Sequence, residues 1–179
     1  HPKFLRFSSR KDMFLDDMRE FGSYDHDPFN LENTEVMLGP SSRVFGRGST
    51  GGVINQSSKP ALPDPLRSLH LNVGNADIRR AVLDVNQPLS DSAAVRVNLL
   101  KHESGVPGRD TAAADRTGIA ATLSMELGSA TDLALSYMKQ SSENVPDYGL
   151  PWLAGEPARV DRHNSHGFSR DFIYTDADN

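Results

Sequence analysis

The sequence predicts a mainly β protein made of two parts. The first part, residues 1–65, is irregular and turn-rich, and it holds a glycine-rich segment within residues 30–55. The second part, residues 66–179, alternates apolar and polar residues, which is the period of a half-buried β-strand. Three prolines in residues 60–65 separate the parts. Because proline lacks the N–H that a sheet ladder needs, we place the domain boundary there.

Local signals in the first part predict short elements. Residues 13–18 have the composition of a short strand, and Asp27-Pro28 indicates a brief helical turn with the proline at its start. Residues 35–38 form a strand-like run. A second strand begins at Val53-Ile54. The two strands are expected to enclose a tightly bent connection.

That connection is predicted from its glycines. Gly39-Pro40 turns the chain, and a second bend follows at Gly46, Gly48, Gly51 and Gly52. Glycine tolerates positive φ and lets another backbone approach closely, so the segment is expected to pack tightly.

The same letters also spell the G-x-G-x-x-G pattern of dinucleotide-binding proteins. That fingerprint requires the glycines to leave a strand and open a helix. Here they lead into Val53-Ile54, and Lys59-Pro60 follows before a helix could form. A nucleotide-dependent enzyme is therefore the least favoured function.

Five alternating runs in the second part predict antiparallel strands. We expect each strand to have about the 9 to 11 residues that a tilted strand needs to cross a bilayer. Charged residues at positions 80, 84, 96 and 126 all fall on the polar face of the runs. The runs are residues 68–73, 80–86, 93–100, 118–127 and 133–138.

The connections between the runs bear on two alternatives, a soluble β-sandwich and a membrane β-barrel. Alternation alone fits either, because a sheet with one wet face has the same period. Residues 89–92 and 128–129 are short turns, whereas residues 104–116 and 141–169 are long, polar loops. Strand length, this asymmetry and the frequent alanines on the apolar face favour the barrel.

Composition excludes several classes of function. The net charge of -5 argues against a nucleic-acid partner, and the absence of cysteine excludes disulfides and thiolate metal sites. The longest apolar runs are far shorter than the roughly 20 residues of a transmembrane helix. The chain starts at His1 and ends on a strand-like run, so we interpret it as an internal piece of a longer protein.

The glycine-rich segment, NLENTEVMLGPSSRVFGRGSTGGVIN, resembles the plug-domain signature of TonB-dependent outer-membrane siderophore receptors. Residues 7–10, 14–16, 19–24 and 27–32 resemble the plug sequence before that signature, and residues 144–151 resemble an outer-loop motif of the catecholate-type members. Two departures are Phe4-Leu5-Arg6-Phe7, where relatives usually have Ile-Arg-Gly-Phe, and Asp17, where many have glycine.

The resemblance implies both a fold and a function. Residues 1–65 would be the C-terminal part of an α+β plug domain, and residues 66–179 the first antiparallel strands of a transmembrane β-barrel of about 22 strands. The protein would bind a ferric siderophore in the bacterial outer membrane and import it when TonB and its inner-membrane complex move the plug. No catalysis and no cofactor are expected. The alternative is an outer-membrane channel for another nutrient, such as cobalamin or a carbohydrate.

The resemblance also suggests ligand-contact residues. Arg19, Phe21 and Tyr24 belong to the expected apical loop of the plug, and Tyr148 and Trp152 belong to a long outer loop. Aromatic rings suit a catecholate, and a guanidinium can neutralise an anionic iron complex. Plain packing or a solvated loop is the alternative for each residue.

Three further residues have competing interpretations. Arg47, near Glu35 in the plug signature, is expected to form an ion pair within the plug or with the barrel, or to be a solvated lumen residue. His163 and His166, with Asp161 nearby, suggest a metal site, but spacing without geometry does not specify one. We therefore expect no protein-bound metal.

Overall fold

The chain divides into two compact units, His1–Pro60 and Ala61–Asn179. We refer to them as unit 1 and unit 2. No helix among the described residues is long and apolar enough to cross a membrane. The computed structural model describes residues 13–20, 26–38, 52–108, 112–145, 149, 152–153, 155–161, 163 and 173–178, apart from the side chains of residues 152, 157 and 173–178.

Unit 1 contains a mixed four-stranded sheet. The strand order is β2-β1-β4-β3, with β1 parallel to β4 and the other two pairs antiparallel. Its core consists of the buried side chains of Phe14, Leu15, Phe29 and Val53. The strands are β1 (Met13–Leu15), β2 (Met18–Arg19), β3 (Leu31–Leu38) and β4 (Gly52–Ser58).

The predicted single strand over residues 13–18 is wrong, because the chain forms a hairpin there. Asp16 and Asp17 lie between β1 and β2 with φ angles of 49° and 62°. Both values belong to the left-handed region, which a two-residue hairpin turn of type I′ needs at both central positions. The predicted helical turn is confirmed as a 3-10 helix over Pro28–Asn30, with Asp27 accepting a hydrogen bond from the Phe29 N–H.

The glycine-rich segment connects two paired strands. β3 and β4 are antiparallel, and Leu38 is opposite Gly52 in their register. The residue after Gly51 therefore begins a strand rather than a helix, so the local structure is not that of a dinucleotide-binding turn. Residues 39–51 themselves lie outside the described part of the chain.

Unit 2 contains a six-stranded antiparallel sheet in the order β12-β9-β8-β7-β6-β5. The five strands β5 to β9 follow one another as a meander. A separate two-stranded pair joins β10 to β11. The strands are β5 (Leu66–Gly74), β6 (Ile78–Ser90), β7 (Ala93–Gly105), β8 (Ala113–Glu126), β9 (Asp132–Val145), β10 (Trp152–Leu153), β11 (Glu156–Pro157) and β12 (Ile173–Asp178).

All five predicted runs are strands, and each strand is longer than its run. β6 and β7 have 13 residues each, and β8 and β9 have 14 each. The strands extend into the segments predicted as loops, so the β7–β8 connection is only residues 106–112. Where both faces of a strand become polar, hydropathy no longer distinguishes strand from loop, although the backbone ladder continues.

The two faces of the unit 2 sheet have the reverse polarity of a soluble core. We call the even-numbered side chains of β5 to β9 the polar face and the odd-numbered ones the apolar face. On the polar face Asn86 and Asn98 are 0% and 1% exposed, whereas Leu71 and Val73 on the apolar face are 67% and 86% exposed. One sheet with its apolar face exposed contradicts the β-sandwich alternative and fits a lipid-facing wall.

Candidate functional site

The loop of unit 1 that was predicted to contact ligand is closed at its base by a side-chain hydrogen bond. His26 Nε2 and Glu20 Oε1 join the two ends of segment 21–25, and both side chains are buried. Phe21 and Tyr24 belong to this segment, which lies outside the described residues. The described residues therefore show how the two ends of segment 21–25 are joined.

Arg19 lies at the same base, on β2. It is opposite Phe14 in the β1–β2 register, and its guanidinium carbon is 5.6 Å from the centre of the Phe14 ring. This is the distance of a cation–π contact. The contact orients the Arg19 side chain against the core of unit 1, and a role for Arg19 in ligand binding stays a prediction.

The two aromatic candidates in unit 2 are only partly described. Tyr148 lies outside the described residues, and the backbone of Trp152 belongs to β10, opposite Pro157. Their contact with ligand stays a prediction. His163 has its N–H bonded to Asp161 Oδ1 at 3.0 Å, and His166 is not described. Among the described residues, no cluster of three or more His, Asp or Glu could hold a metal ion.

Of the residues singled out in the plug-like signature, Glu35 and Gly52 are described. Glu35 is exposed on β3 and accepts a hydrogen bond from Asn33 Nδ2 at 3.3 Å. Gly52 is buried with a φ of 142°, which favours glycine. The predicted Arg47 ion pair lies outside the described residues, as do Gly39, Pro40, Gly46, Gly48 and Gly51.

The polar face of unit 2 contains a buried ion pair that sequence reasoning did not identify. Arg96 Nε and Nη2 donate to Asp84 Oδ1 and Oδ2 at 2.9 and 2.8 Å, and both side chains are at most 7% exposed. The bidentate geometry matches a planar guanidinium to a carboxylate. The alternation had placed both charges on one face, but the pairing is diagonal, because Asp84 is opposite Asn98 and not opposite Arg96.

Asn86 fixes the proline-rich segment that precedes β5. Its Oδ1 accepts from the Leu62 N–H at 2.9 Å, and its Nδ2 donates to the carbonyls of Leu62 and Asp64 at 2.8 and 2.7 Å. Asn86 is fully buried. One amide thus satisfies three backbone groups in a segment that cannot join the sheet.

A cavity of about 330 Å³ lies beside this segment, at the end of the sheet that carries the short turns. Its lining combines linker and strand-end residues of unit 2. These are residues 61–63, 90–94, 124–126 and 132–134. No residue predicted to contact ligand lines it.

Comparisons with known proteins show what the chain is similar to. No family model matches the chain. The catecholate siderophore receptor Fiu of Escherichia coli strain K12 is 35% identical over 174 residues, which covers 89% of this chain and 23% of Fiu. The probable TonB-dependent receptor BfrD of Bordetella pertussis is 34% identical over 170 residues, which covers 91% of this chain and 23% of BfrD.

A solved structure agrees with the sequence matches. The open form of the ferric-catecholate import receptor Fiu from E. coli K12 superposes with a TM-score of 0.84 at 33% identity, covering 94% of this chain and 28% of that chain. The chain thus spans about a quarter of the length of the relatives it matches. Over nearly its whole length it is similar to one part of these TonB-dependent and siderophore receptors.

Proposed function

We propose that this chain is part of an outer-membrane receptor that binds a ferric siderophore of the catecholate type and imports it by TonB-coupled movement of the plug domain. The observation that carries the proposal is the match of 94% of the chain to the ferric-catecholate import receptor Fiu. The exposed apolar face of unit 2 supports it, because a wall of this polarity needs lipid as its partner.

In this proposal unit 1 is the C-terminal part of the plug domain and unit 2 supplies barrel strands. The mixed sheet of unit 1 and the antiparallel meander of unit 2 support the assignment. The function is binding and transport, and iron arrives already held by the siderophore. A receptor for cobalamin or a carbohydrate is less favoured, because the relatives described above include a siderophore receptor.

The decisive experiment measures uptake by the full-length receptor. A host that lacks its own catecholate receptors is supplied with radioactive iron as a ferric catecholate, with and without TonB. We expect uptake that requires both the receptor and TonB. Uptake that persists without TonB would indicate a passive channel, and expression that ignores iron while responding to a sugar would remove the siderophore assignment.

The proposed ligand contacts can be tested with adjacent residues of β10. Trp152→Ala is expected to weaken binding of the ferric catecholate by about tenfold, because a stacked aromatic contributes roughly 1 kcal/mol or more. Leu153→Ala is the control, since Leu153 is exposed on the same short strand. Equal effects of the two substitutions would contradict a ligand-binding role for Trp152.

A further inference from the structure

Unit 1 is joined to the sheet of unit 2 by residues 61–65, which we call the proline-rich segment. Unit 1 ends at Pro60, and β5 begins at Leu66. Tension that is applied to unit 1 along the chain therefore passes through the proline-rich segment before it reaches the first strand of the sheet.

The proline-rich segment has little slack. Leu62 precedes Pro63, and Asp64 precedes Pro65. Proline fixes its own φ at about −65°, and its ring keeps the residue before it in extended conformations. Four consecutive residues are thus restricted. The segment can lengthen little when it is pulled, so tension is transmitted directly to the hydrogen bonds that hold it.

Asn86 holds the backbone of the segment on both sides of Pro63. Its amide accepts from the Leu62 N–H at 2.9 Å and donates to the carbonyls of Leu62 and Asp64 at 2.8 and 2.7 Å. Asn86 is fully buried, so water has no access to its amide and does not compete for these bonds.

The strand that carries Asn86 is paired along both edges. Asn86 is opposite Leu66 of β5 on one side and Arg96 of β7 on the other. Among the described strands, β5 is paired with β6 alone. Tension along the chain reaches the Asn86 bonds before it reaches the first ladder pair of β5, at Leu66. The Asn86 bonds thus protect this edge strand from being peeled off the sheet.

Unit 1 has its own hydrogen bonds close to the junction. The Lys59 N–H donates to the Asn30 carbonyl, and Lys59 Nζ donates to the Phe29 carbonyl, both at 2.9 Å. Two residues lie between Lys59 and Leu62, where Asn86 takes hold. The chain therefore passes within two residues from bonds inside unit 1 to bonds inside unit 2.

We propose that Asn86 is a mechanical anchor that keeps the proline-rich segment on the sheet when TonB-coupled force moves the plug domain. The inference rests on the proposed function and adds the point along the chain at which the movement ends. Residues up to Pro60 move, whereas residues 61–65 stay bound to β6. The sheet keeps its edge strand, and unit 1 keeps the same point of attachment when the force is released.

The test measures how far the chain extends under force. The full-length receptor in a lipid bilayer is pulled from its N-terminal end by single-molecule force spectroscopy, and we compare the extension reached before the strands of unit 2 unravel. Asn86→Ala should lengthen this extension by about 17 Å, because five residues of about 3.4 Å each are released. Gln87→Ala is the control and should leave it unchanged, since the exposed Gln87 side chain donates only to the Pro88 carbonyl.

A second variant tests the anchor without altering β6. Leu62→Pro removes the N–H that Asn86 accepts, so it should lower the force at which residues 61–65 detach. It decides the matter if Asn86→Ala does not insert. Equal extensions of Asn86→Ala and the unaltered receptor, or an unchanged detachment force in Leu62→Pro, would overturn the anchor and leave the proposed function intact. TonB-independent uptake by the unaltered receptor would overturn the proposed function, and the extension measurement does not depend on it.

Discussion

Asp16 and Asp17 occupy a backbone conformation that residues other than glycine rarely adopt, and their side chains explain how they are tolerated. Asp17 Oδ1 accepts from Asn55 Nδ2 at 2.8 Å, and Asp16 Oδ1 accepts from the Ser58 N–H at 2.7 Å. Both bonds tie the β1–β2 turn to β4. Hydrogen bonding thus offsets the left-handed backbone at Asp16 and Asp17.

Two substitutions at Asp17 should therefore differ in how much they destabilise the β1–β2 turn. Asp17→Ala keeps the left-handed φ and removes the bond to Asn55, so we expect a destabilisation of roughly 1 to 3 kcal/mol. Asp17→Gly loses the same bond but relieves the backbone, so its effect should be under about 1 kcal/mol. Amide hydrogen exchange over residues 13–19 in the full-length receptor measures both. The explanation fails if glycine destabilises the turn as much as alanine does.

The ion pairs of unit 2 show how burial determines what a charged residue contributes to stability. Asp84 and Arg96 are nearly inaccessible, whereas the side chains of Lys101 and Asp115 are each 49% exposed. Both pairs have short N–O distances. The N–O distance alone therefore does not predict which pair contributes more to stability, whereas the desolvation of the charges does.

Removing one carboxylate from each pair tests this ranking. Asp84→Asn leaves the charge of Arg96 buried without its bidentate partner, and we expect a loss of about 3 to 5 kcal/mol. Asp115→Asn should lose under about 1 kcal/mol. Urea unfolding of the full-length receptor in lipid vesicles compares the two variants. Similar midpoints for both would show that the buried pair has no special role.

At the scale of elements, the proline-rich segment shows how a stretch without strand structure is held in a defined position. Residues 61–65 cannot extend the sheet, because their prolines lack donors. Asn86, within β6, binds them instead through three hydrogen bonds. The segment is thereby attached to the strand wall of unit 2.

Asn86→Ala should release this segment. The Leu62 N–H would lose its acceptor, so we expect its hydrogen exchange to accelerate by at least about tenfold. Gln87→Ala is the matched control, because the exposed Gln87 side chain donates only to the neighbouring Pro88 carbonyl at 3.0 Å. Unchanged exchange at Leu62 in Asn86→Ala would show that other contacts hold the segment.

Strand length is also a property of the elements, and the local sequence did not predict where the strands of unit 2 end. Lys101, Glu103 and Asp115 lie on the apolar face near the strand ends and interrupt the alternation, although the β7–β8 ladder continues to Gly105 and Ala113. The ladder requires only backbone groups, so it does not end where the apolar band ends. An apolar band shorter than the strand is consistent with ends that project beyond the hydrocarbon layer.

At the scale of the whole molecule, the described part of unit 2 leaves large apolar side chains exposed on one face of its sheet. The apolar face exposes Leu69, Leu71 and Val73 on β5 and Leu135 and Tyr137 on β9. β5 and β12 are the edges of the sheet. Under the proposed function, lipid would cover the apolar face and further strands would pair with the edges.

A charge on each face tests this assignment. Leu123→Arg places a charge on the apolar face within the apolar band and should reduce the amount of folded receptor in the outer membrane, since such a residue costs about 2 to 4 kcal/mol at mid-depth. Ser124→Arg, one position along β8, points to the opposite face and lines the cavity of about 330 Å³, so it should be tolerated. Equal insertion of both variants would contradict a lipid-facing apolar surface.

The sequence by itself determined the features that depend on neighbours along the chain. The two-residue period located β5 to β9 and assigned Asp84 and Arg96 to the polar face, and the glycines located the connection between β3 and β4. The Asp27-Pro28 pair likewise located the 3-10 helix, because its capping bond spans only two residues.

Only the tertiary structure decided which face is buried and which distant groups meet. The alternation is the same for a sandwich and for a membrane wall, and the burial of Asn86 and Asn98 distinguishes them. The Asp84–Arg96 pair depends on strand register, and the bonds from Asn86 to residues 62–64 depend on a distant backbone. Register is set by pairing across the whole sheet, so no local stretch of sequence contains it.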